Sequence, residues 1–295
     1  MLDICCIGHV TRDTVITPFD TRVMPGGTAI YFSHALAHRG ERYRLVTALG
    51  AGGLTEGLLD GLRAAGVPMT VLGSAHTVHF ENKYGADTDQ RTQRVLEVAD
   101  PFRLEDLAEV EARVYHLGPL LAEDIPGEAI RMLADKGAVS LDVQGFLRRV
   151  ERQRVVPVDW ASKLEWLPYI HYLKASDEEM YVLTGESNPQ RGAAILHGWG
   201  ATEVIITSGS KGSLIYNGSE FITVPAFVPQ TNRPDATGCG DTYMAGYLQQ
   251  RLKGATEAEA GTFGAAMATL KIEAGGPYTG TMAQVEGVLR RAERA

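Results

Sequence analysis

Short apolar runs rich in β-branched residues alternate with runs whose apolar residues recur at helical spacing along most of the chain. The first pattern is typical of buried strands, and the second is typical of helices that cover a sheet. The alternation therefore predicts an α/β fold, with a parallel sheet flanked by helices. The predicted strands are Ile4–Gly8, Tyr43–Leu49, Val114–Leu117, Val139–Val143, Ile170–Lys174 and Val204–Ser208. The predicted helices are Thr28–His38, Thr55–Ala65, Pro126–Lys136, Asp177–Leu183, Pro189–His197, Thr242–Leu252, Glu257–Ile272 and Met282–Arg294.

Two segments break this alternation, residues 11–23 and 67–98. Polar and apolar residues interleave there with a period near two, as in Thr77–Glu81 and Arg94–Val98, which favours strands without intervening helices. We expect both segments to form a small β-sheet that projects from a single domain spanning residues 1–295. Such a sheet would serve as a lid that excludes water from a bound substrate, or else as a dimerisation sheet or simple decoration.

Composition narrows the functional classes. The chain has 295 residues, of which 44% are hydrophobic and 22% charged, and this is ordinary for one large globular domain. The net charge of −8 argues against a nucleic-acid surface, because neutralising phosphates requires a basic face. Anionic ligands must therefore be bound locally.

Cysteine usage and the start of the chain point to a cytoplasmic protein. Cys5, Cys6 and Cys239 form neither a disulfide framework nor a paired zinc spacing, which favours a reducing compartment. The first residues carry no basic segment of the signal-peptide type, and no apolar run has membrane-spanning length. We expect no membrane association.

The strongest chemical signal is the segment Asp235–Asp241, Asp-Ala-Thr-Gly-Cys-Gly-Asp. Two glycines in a tight turn allow the N–H groups of residues 238 to 240 to converge, and a helix that begins there adds its positive end. Such a pocket suits a phosphate group. Asp241 would lie at its rim, where a carboxylate can accept the proton of an attacking hydroxyl. Helix capping is the alternative role of Asp241.

A second glycine turn, Gly26-Gly27, precedes the predicted helix that begins at Thr28. Glycines at such a junction allow a ligand hydroxyl to approach the backbone, although most Gly-Gly turns are structural. Asp13 follows the first strand, at the edge of a parallel sheet where ligands normally bind. Its carboxylate would grip two hydroxyls of a polyol, or else lie solvated in a loop.

Three further segments follow buried strands. The turn 207–212 is too short for a Walker loop, so it either lines a nucleotide or simply joins two strands. Residues 174–179 place three acids at a helix start, where they cap the helix or reach Mg²⁺ through water. Asp142 and Gln144 leave another central strand at the ligand-binding edge. Signatures of zinc hydrolases and of serine nucleophiles are absent from the sequence.

With these residues in view, the whole chain resembles the ribokinase-type (pfkB) carbohydrate kinase family. Asp235–Asp241 is similar to the carboxy-terminal signature Asp-Thr-x-Gly-x-Gly-Asp of that family, and the order of the other elements agrees. The resemblance implies a ribokinase-like three-layer αβα sandwich with a mainly parallel central sheet. It also implies a small β-sheet lid formed by the segments 11–23 and 67–98.

The resemblance further implies ATP as the phosphate donor and Mg²⁺ carried on the nucleotide. Asp241 is then the catalytic base, with an anion hole formed by Gly238, Cys239 and Gly240. Glu179 takes the position of a glutamate linked to the metal. The acceptor-binding residues would be Asp13, Gly26, Gly27 and Gln144, and the nucleotide-binding residues Lys174, Ser176, Thr207, Gly209, Gly212 and Thr237. Some family members hold a monovalent cation such as K⁺ near the positions of Asp235 and Ala274.

Three residues depart from the family pattern: Ser176 and Tyr31 stand where asparagine is usual, and Ala236 replaces a hydroxyl residue. Sugar-recognition rules of the family therefore do not carry over. Within the family, the chain is similar to plant-type myo-inositol kinases, which also have an aromatic residue at the Tyr31 position. The stretches that carry this likeness are Val139–Gly145, Leu173–Glu178 and Arg94–Leu96.

We therefore expect an ATP-dependent kinase that phosphorylates one hydroxyl of a small polyol, with myo-inositol as the first choice. A nucleoside kinase or another sugar kinase of the same fold is the nearest alternative. A non-catalytic nucleotide- or polyol-binding regulator is the alternative from a different class. A homodimer formed through the small sheet is a further expectation.

Overall fold

The computed structural model describes residues 1–37, 39–52, 55, 57–84, 91–232 and 234–292. Its strands are β1 Leu2–Ile7, β2 Thr11–Ile16, β3 Thr21–Gly26, β4 Tyr43–Gly50, β5 Met69–Ser74, β6 His79–Tyr84, β7 Arg91–Glu97, β8 Ala112–Leu117, β9 Ala138–Asp142, β10 Arg148–Glu151, β11 Arg154–Pro157, β12 Tyr172–Ser176, β13 Glu203–Thr207, β14 Ser213–Tyr216 and β15 Phe221–Val224. Its α-helices are α1 Thr28–Leu36, α2 Asp60–Ala64, α3 Leu104–Leu107, α4 Gly127–Ala134, α5 Lys163–Trp166, α6 Asp177–Thr184, α7 Pro189–Gly198, α8 Cys239–Leu252, α9 Glu257–Glu273 and α10 Met282–Ala292.

A nine-stranded sheet in the order β15-β14-β13-β12-β9-β8-β1-β4-β5 forms the middle layer. The strands from β13 to β5 pair in parallel, whereas β14 and β15 add an antiparallel edge. The predicted strands of the main sheet are confirmed. The carboxyl ends of the parallel strands share one edge of the sheet, which is where such folds bind ligands.

An apolar core lies on each face of this sheet. One face packs against α1, α2, α8, α9 and α10, and the other against α3 to α7. Successive residues of β1 serve opposite cores: Cys5 belongs to the second and Cys6 to the first, and both are fully buried. This period-two alternation gives the three-layer αβα sandwich that the family resemblance implies.

The small sheet has the strand order β3-β2-β6-β7. It is built from the two predicted segments, 11–23 and 67–98, but the beginning of the segment 67–98 does not belong to it. For Met69–Ser74 the prediction was wrong, because these residues form β5 and pair with β4 at the edge of the main sheet. An edge strand is half-exposed, so it shows the same period-two pattern as a strand of a small sheet. Residues 85–90 of the predicted insert lie outside the described residues.

A hairpin of β10 and β11 supports the small sheet. The backbone N–H of Val95 donates to Gln153 at the hairpin turn, at 2.8 Å. Val150 and Val155 pack with the apolar face of the small sheet around Phe80. The small sheet therefore rests on a third, separate apolar core.

The helices agree with the predicted spans in most cases. The helix predicted over Thr55–Ala65 is shorter, covering Asp60–Ala64, and α8 begins earlier than predicted, at Cys239. The predicted helix ends His38 and Arg294 lie outside the described residues. Within the described part of the chain, none of the helices is long and apolar enough to cross a membrane.

Candidate active site

Two helices begin at the carboxyl edge of the sheet, each after a glycine with positive φ. Gly27 precedes α1 with φ 85°, and Gly238 precedes α8 with φ 76°, a region that side-chain-bearing residues rarely adopt. Neither residue has a side chain that could cap its helix. The first-turn N–H groups of both helices, together with the positive ends of the helix dipoles, are therefore suited to bind an anion.

Tyr31 of α1 packs directly against the turn that precedes α8. A Cβ atom on Gly238 would lie 2.1 Å from Cδ1 of Tyr31, so the turn has room only for glycine. Tyr31 is 4% exposed, and burial raises the pKa of its hydroxyl. Three carboxylates raise that pKa further, those of Asp13, Asp235 and Asp241. Acids that are distant in sequence thus gather around one ring.

Asp241 is the third residue of α8 and is partly exposed. Burial and the negative charge of Asp142 raise the pKa of Asp241 to about 6. The ammonium of Lys174 and a hydrogen bond with the Thr28 hydroxyl act in the opposite direction. A carboxylate with this pKa is ionised at neutral pH and remains a usable proton acceptor.

Lys174 of β12 lies between the acids and the glycine turn. Its Nζ is 2.9 Å from Oδ2 of Asp142 and 3.7 Å from Oε2 of Glu179, and its side chain is 7% exposed. Burial lowers the pKa of Lys174, but the charges of Asp142 and Glu179 outweigh it and leave the pKa raised. A Cβ atom on Gly240 would lie 3.4 Å from the same Nζ. A permanent positive charge therefore lies beside the turn.

Glu179 and Ser176 cap α6 reciprocally. The N–H of Ser176 donates to Oε2 of Glu179 at 2.7 Å, and the N–H of Glu179 donates to Oγ of Ser176 at 3.2 Å. One oxygen of the predicted metal-linked glutamate is therefore engaged in a cap. The described residues contain no group of three or more His, Cys, Asp or Glu side chains that could hold a metal ion. The donor set suits Mg²⁺ only when phosphate oxygens and water supply most of its ligands.

Asp13 of β2 lies against the other glycine turn. Its Oδ1 accepts a hydrogen bond from Oγ1 of Thr11 at 2.7 Å, and its Oδ2 is 2.4 Å from the position that a Cβ on Gly26 would take. A Cβ on Gly27 would lie 2.6 Å from the carbonyl oxygen of His9. The structure thus brings Asp13, Gly26 and Gly27 together and leaves no room for larger residues.

Cys239 is the residue in the turn that differs from expectation. Its N–H donates to the carbonyl of Ala236 at 3.2 Å, so this amide is already bonded and not free for a phosphate. Its Sγ lies 3.7 Å from the carbonyl oxygens of Asp235 and Ala268, and burial raises the pKa of the thiol to about 11. The first-turn amides of Gly240 and Asp241 remain for an anion.

Some of the residues predicted to bind nucleotide lie at the ligand-binding edge of the sheet, and others have a structural role. Thr207 ends β13, beside Ser176 at the end of β12. Gly209 has open space around it, whereas a Cβ on Gly212 would lie 2.1 Å from the carbonyl oxygen of Val224. Gly212 therefore serves the packing of β14 on β15. The N–H of Thr237 donates to Oδ1 of Asp235 at 3.0 Å and closes the turn ahead of α8.

Gln144 lies in a 3-10 turn after β9, where its N–H donates to Oδ1 of Asp142 at 3.1 Å. Asp142 itself, 5% exposed and bonded to Lys174, was placed at the ligand edge from the sequence but given no role. Thr28 and Lys271 were missed. Thr28 directly follows the glycine pair, and Lys271 is a single cation in the apolar run of α9, so both carried a signal.

Comparison with known proteins agrees with this geometry. The family model described as "pfkB family carbohydrate kinase" matches residues 1–284. A cytidine kinase from Thermococcus kodakarensis is 29% identical over 257 residues, which cover 84% of this chain and 88% of that protein. An inositol 3-kinase from Arabidopsis thaliana is 27% identical over 188 residues, covering 55% of this chain and 48% of that protein.

A solved structure supports the fold. It is described as a pyrophosphate-dependent kinase in the ribokinase family, complexed with a pyrophosphate analog and myo-inositol. It superposes on this protein with a TM-score of 0.85 at 28% sequence identity. The match covers 97% of this chain and 100% of the chain in that structure. The ribokinase-type resemblance, the likeness to inositol kinases and the three-layer fold are confirmed.

The charge cluster around Lys174 gives a stability prediction. Lys174→Met keeps much of the side-chain volume but leaves the buried carboxylate of Asp142 and the partly buried carboxylate of Glu179 without their cation. We expect it to lower the free energy of unfolding by about 3 to 5 kcal/mol, measured by urea denaturation.

Lys163→Met is the matched control. The ammonium of Lys163 lies 2.7 Å from both carboxylate oxygens of Asp159, but that carboxylate is 55% exposed. Its loss should cost about 1 kcal/mol or less. Equal, small losses in the two variants would contradict the importance of the buried cluster.

Proposed function

This chain belongs to the pfkB family of carbohydrate kinases, and on that premise we propose that it transfers the terminal phosphoryl group of ATP to one hydroxyl of a small polyol, with myo-inositol as first candidate. The observation that carries the proposal is the position of Asp241. Asp241 lies in the first turn of α8, beside the Lys174 ammonium and the glycine turn, and the pKa of its carboxylate is raised to about 6. A proton acceptor and an anion site thus lie together.

In the proposed reaction, the acceptor hydroxyl lies between Asp13 and Asp241. The Asp241 carboxylate takes the hydroxyl proton while the acceptor oxygen forms a bond to the terminal phosphorus. The bond from that phosphorus to the bridging oxygen breaks, and ADP leaves. Lys174 and the first-turn amides of Gly240 and Asp241 stabilise the charge on the phosphoryl oxygens.

Mg²⁺ bound with the nucleotide would neutralise phosphate charge, and Glu179 would hold it through water. Thr207, Ser176 and Gly209 line the same edge of the sheet and are proposed to contact the nucleotide. Thr28 is proposed to orient the base, because hydrogen bonding by its hydroxyl lowers the pKa of Asp241.

Myo-inositol is favoured by two relatives. The solved neighbour at 28% identity is described as complexed with myo-inositol, and an inositol 3-kinase is 27% identical over part of its length. The cytidine kinase at 29% identity favours a nucleoside acceptor instead, and its match spans more of the chain than that of the inositol 3-kinase. A nucleoside is therefore the second candidate. The glycine turn and Asp241 argue against a non-catalytic regulator.

Two properties expected from the sequence stay predictions that need their own experiments. One is a homodimer formed through the small sheet, and the other is a cytoplasmic location. The donor also needs a direct test, because the solved neighbour is described as pyrophosphate-dependent.

A screen for ADP release over polyols, pentoses, hexoses and nucleosides tests the proposal, with pyrophosphate as an alternative donor followed by phosphate release. We expect turnover with ATP that depends on myo-inositol and not on ribose, fructose or adenosine. Turnover with cytidine alone would establish the nucleoside alternative. Binding of ligands without release of product from any mixture would establish the regulator.

Asp241→Asn tests the assigned base. The amide keeps the shape of the side chain but cannot accept the proton, so we expect turnover to fall by about 10² or more. Nucleotide affinity, measured by calorimetry, should change little. Asp60→Asn is the control, because Asp60 is 70% exposed and pairs with Arg63 on its own helix. A fully active Asp241→Asn variant would refute the role.

The pH profile gives an independent prediction. Protonated Asp241 cannot accept a proton, so kcat/KM should decline as the pH falls through about 6. Asp142→Asn removes a neighbouring negative charge that raises the pKa of Asp241, so the decline should move to lower pH. Profiles measured between acidic and neutral pH at constant ionic strength check both points. A decline that stays in place or moves upward in the variant would contradict the coupling.

A further inference from the structure

A second buried lysine lies behind the glycine turn. Lys271, near the end of α9, is 0% exposed and is among the largest fully buried side chains described. The residues that precede it on the helix, Gly264–Leu270, carry no charge and are mostly apolar. A buried ammonium is costly unless oxygen acceptors surround it, so its partners indicate what it does.

Three oxygen atoms surround the ammonium of Lys271. Nζ lies 3.0 Å from the carbonyl oxygen of Asp235, 3.5 Å from Oδ2 of Asp235 and 3.5 Å from the carbonyl oxygen of Ala274. The ring of Tyr31 covers another side, with its centroid 5.9 Å from Nζ. Carbonyl and carboxylate oxygens with an aromatic face are the surroundings that a bare monovalent cation would also find.

The contacts of Lys271 hold in place the segment around Asp235, which leads into the glycine turn. The N–H of Asp235 donates to the carbonyl of Ile272 at 3.1 Å, and Oδ1 of Asp235 accepts from Thr237 at 3.0 Å. Burial opposes the ionisation of Asp235, but the N–H of Thr237 and the ammonium of Lys271 prevail and keep its pKa lowered. Gly238 follows Thr237 and immediately precedes α8. Lys271 therefore fixes the turn through its contacts with Asp235.

We propose that Lys271 is the built-in monovalent cation of this site, so that phosphoryl transfer by this chain requires no added K⁺. The proposal rests on the proposed function. The oxygens of Asp235 and Ala274 that would coordinate K⁺ already bind Nζ, so an ion does not fit beside it. The K⁺ that the family resemblance suggested near these residues is thus replaced by an ammonium of the chain. Lys271 is a positioning residue, because it acts through Asp235 on the glycine turn.

The first test uses the unmodified protein. Turnover and the unfolding temperature are measured in potassium, ammonium, sodium and tetramethylammonium chloride at one ionic strength. We expect both quantities to be nearly independent of the cation, with rates within about twofold, because no ion binds the native state preferentially. A K⁺ stimulation of about tenfold or more, or a rise in the unfolding temperature specific to K⁺, would overturn the proposal.

The second test uses a pair of variants. Lys271→Ala removes the ammonium and opens space, so turnover without K⁺ should fall by about 10² as the turn loses its position. Potassium or ammonium ions should restore much of this loss, and tetramethylammonium, which is too large, should not. Lys271→Met keeps the space filled and should not be rescued. Lys253→Ala is the control: this lysine is 52% exposed, lies at the opposite end of α8 from the glycine turn and pairs with Glu41 at 3.0 Å, so its removal should leave turnover independent of the added cation.

Every other outcome of the variant test bears directly on the role of Lys271. Full turnover of Lys271→Ala without K⁺, failure of K⁺ and ammonium to restore it, or equal rescue of Lys271→Met would overturn the proposal. If Lys271→Ala does not fold, the cation dependence of the unmodified protein decides alone. The unfolding temperature needs no substrate: K⁺ should raise that of Lys271→Ala and leave the unmodified protein unchanged. A failed choice of acceptor is thereby distinguished from a failed cation proposal.

Discussion

One buried ammonium among three carboxylates is the interaction on which this active site depends. Lys174 comes from β12, whereas Asp142, Glu179 and Asp241 come from the end of β9, from α6 and from α8. Without the ammonium, these acids would repel one another across elements that must pack together. Because one cation faces three acids, negative charge remains in excess. That excess adds to burial in raising the pKa of Asp241, so the same cluster that joins the layers also prepares the base.

The two buried lysines contact different parts of the segment that carries the glycine turn. Lys174 lies beside Gly240, where its charge can act on a phosphate. Lys271 contacts Asp235 and Ala274, which fixes the approach to α8. Tyr31 links the two parts, since its ring packs on Gly238 and faces the Lys271 ammonium. Electrostatic preorganisation of the turn therefore includes a residue that does not contact the glycines themselves.

The pattern of apolar residues along the sequence correctly predicted the strands that are buried on both faces. Their continuous apolar runs are typical of buried strands and fit no other element as well. The pattern failed at β5, where a half-exposed edge strand imitates the small sheet, and at the hairpin of β10 and β11. In the site, the glycine turns and Asp241 were predictable, since their residue types carry the chemistry. The contact of Tyr31 with Gly238 was not, because it joins segments far apart in sequence whose proximity only the packing of α1 on α8 creates.

The spacing within the turn now has a physical explanation. Position 238 requires glycine for two reasons, its positive φ and the close contact with the ring of Tyr31. Gly240 faces the Lys174 ammonium. Cys239 between them turns its thiol toward backbone carbonyls, and burial raises the pKa of that thiol to about 11, so it is no nucleophile at neutral pH. Its side chain contacts the carbonyl oxygens of Asp235 and Ala268. A signature with fixed glycines and a free position between them is therefore what this geometry requires.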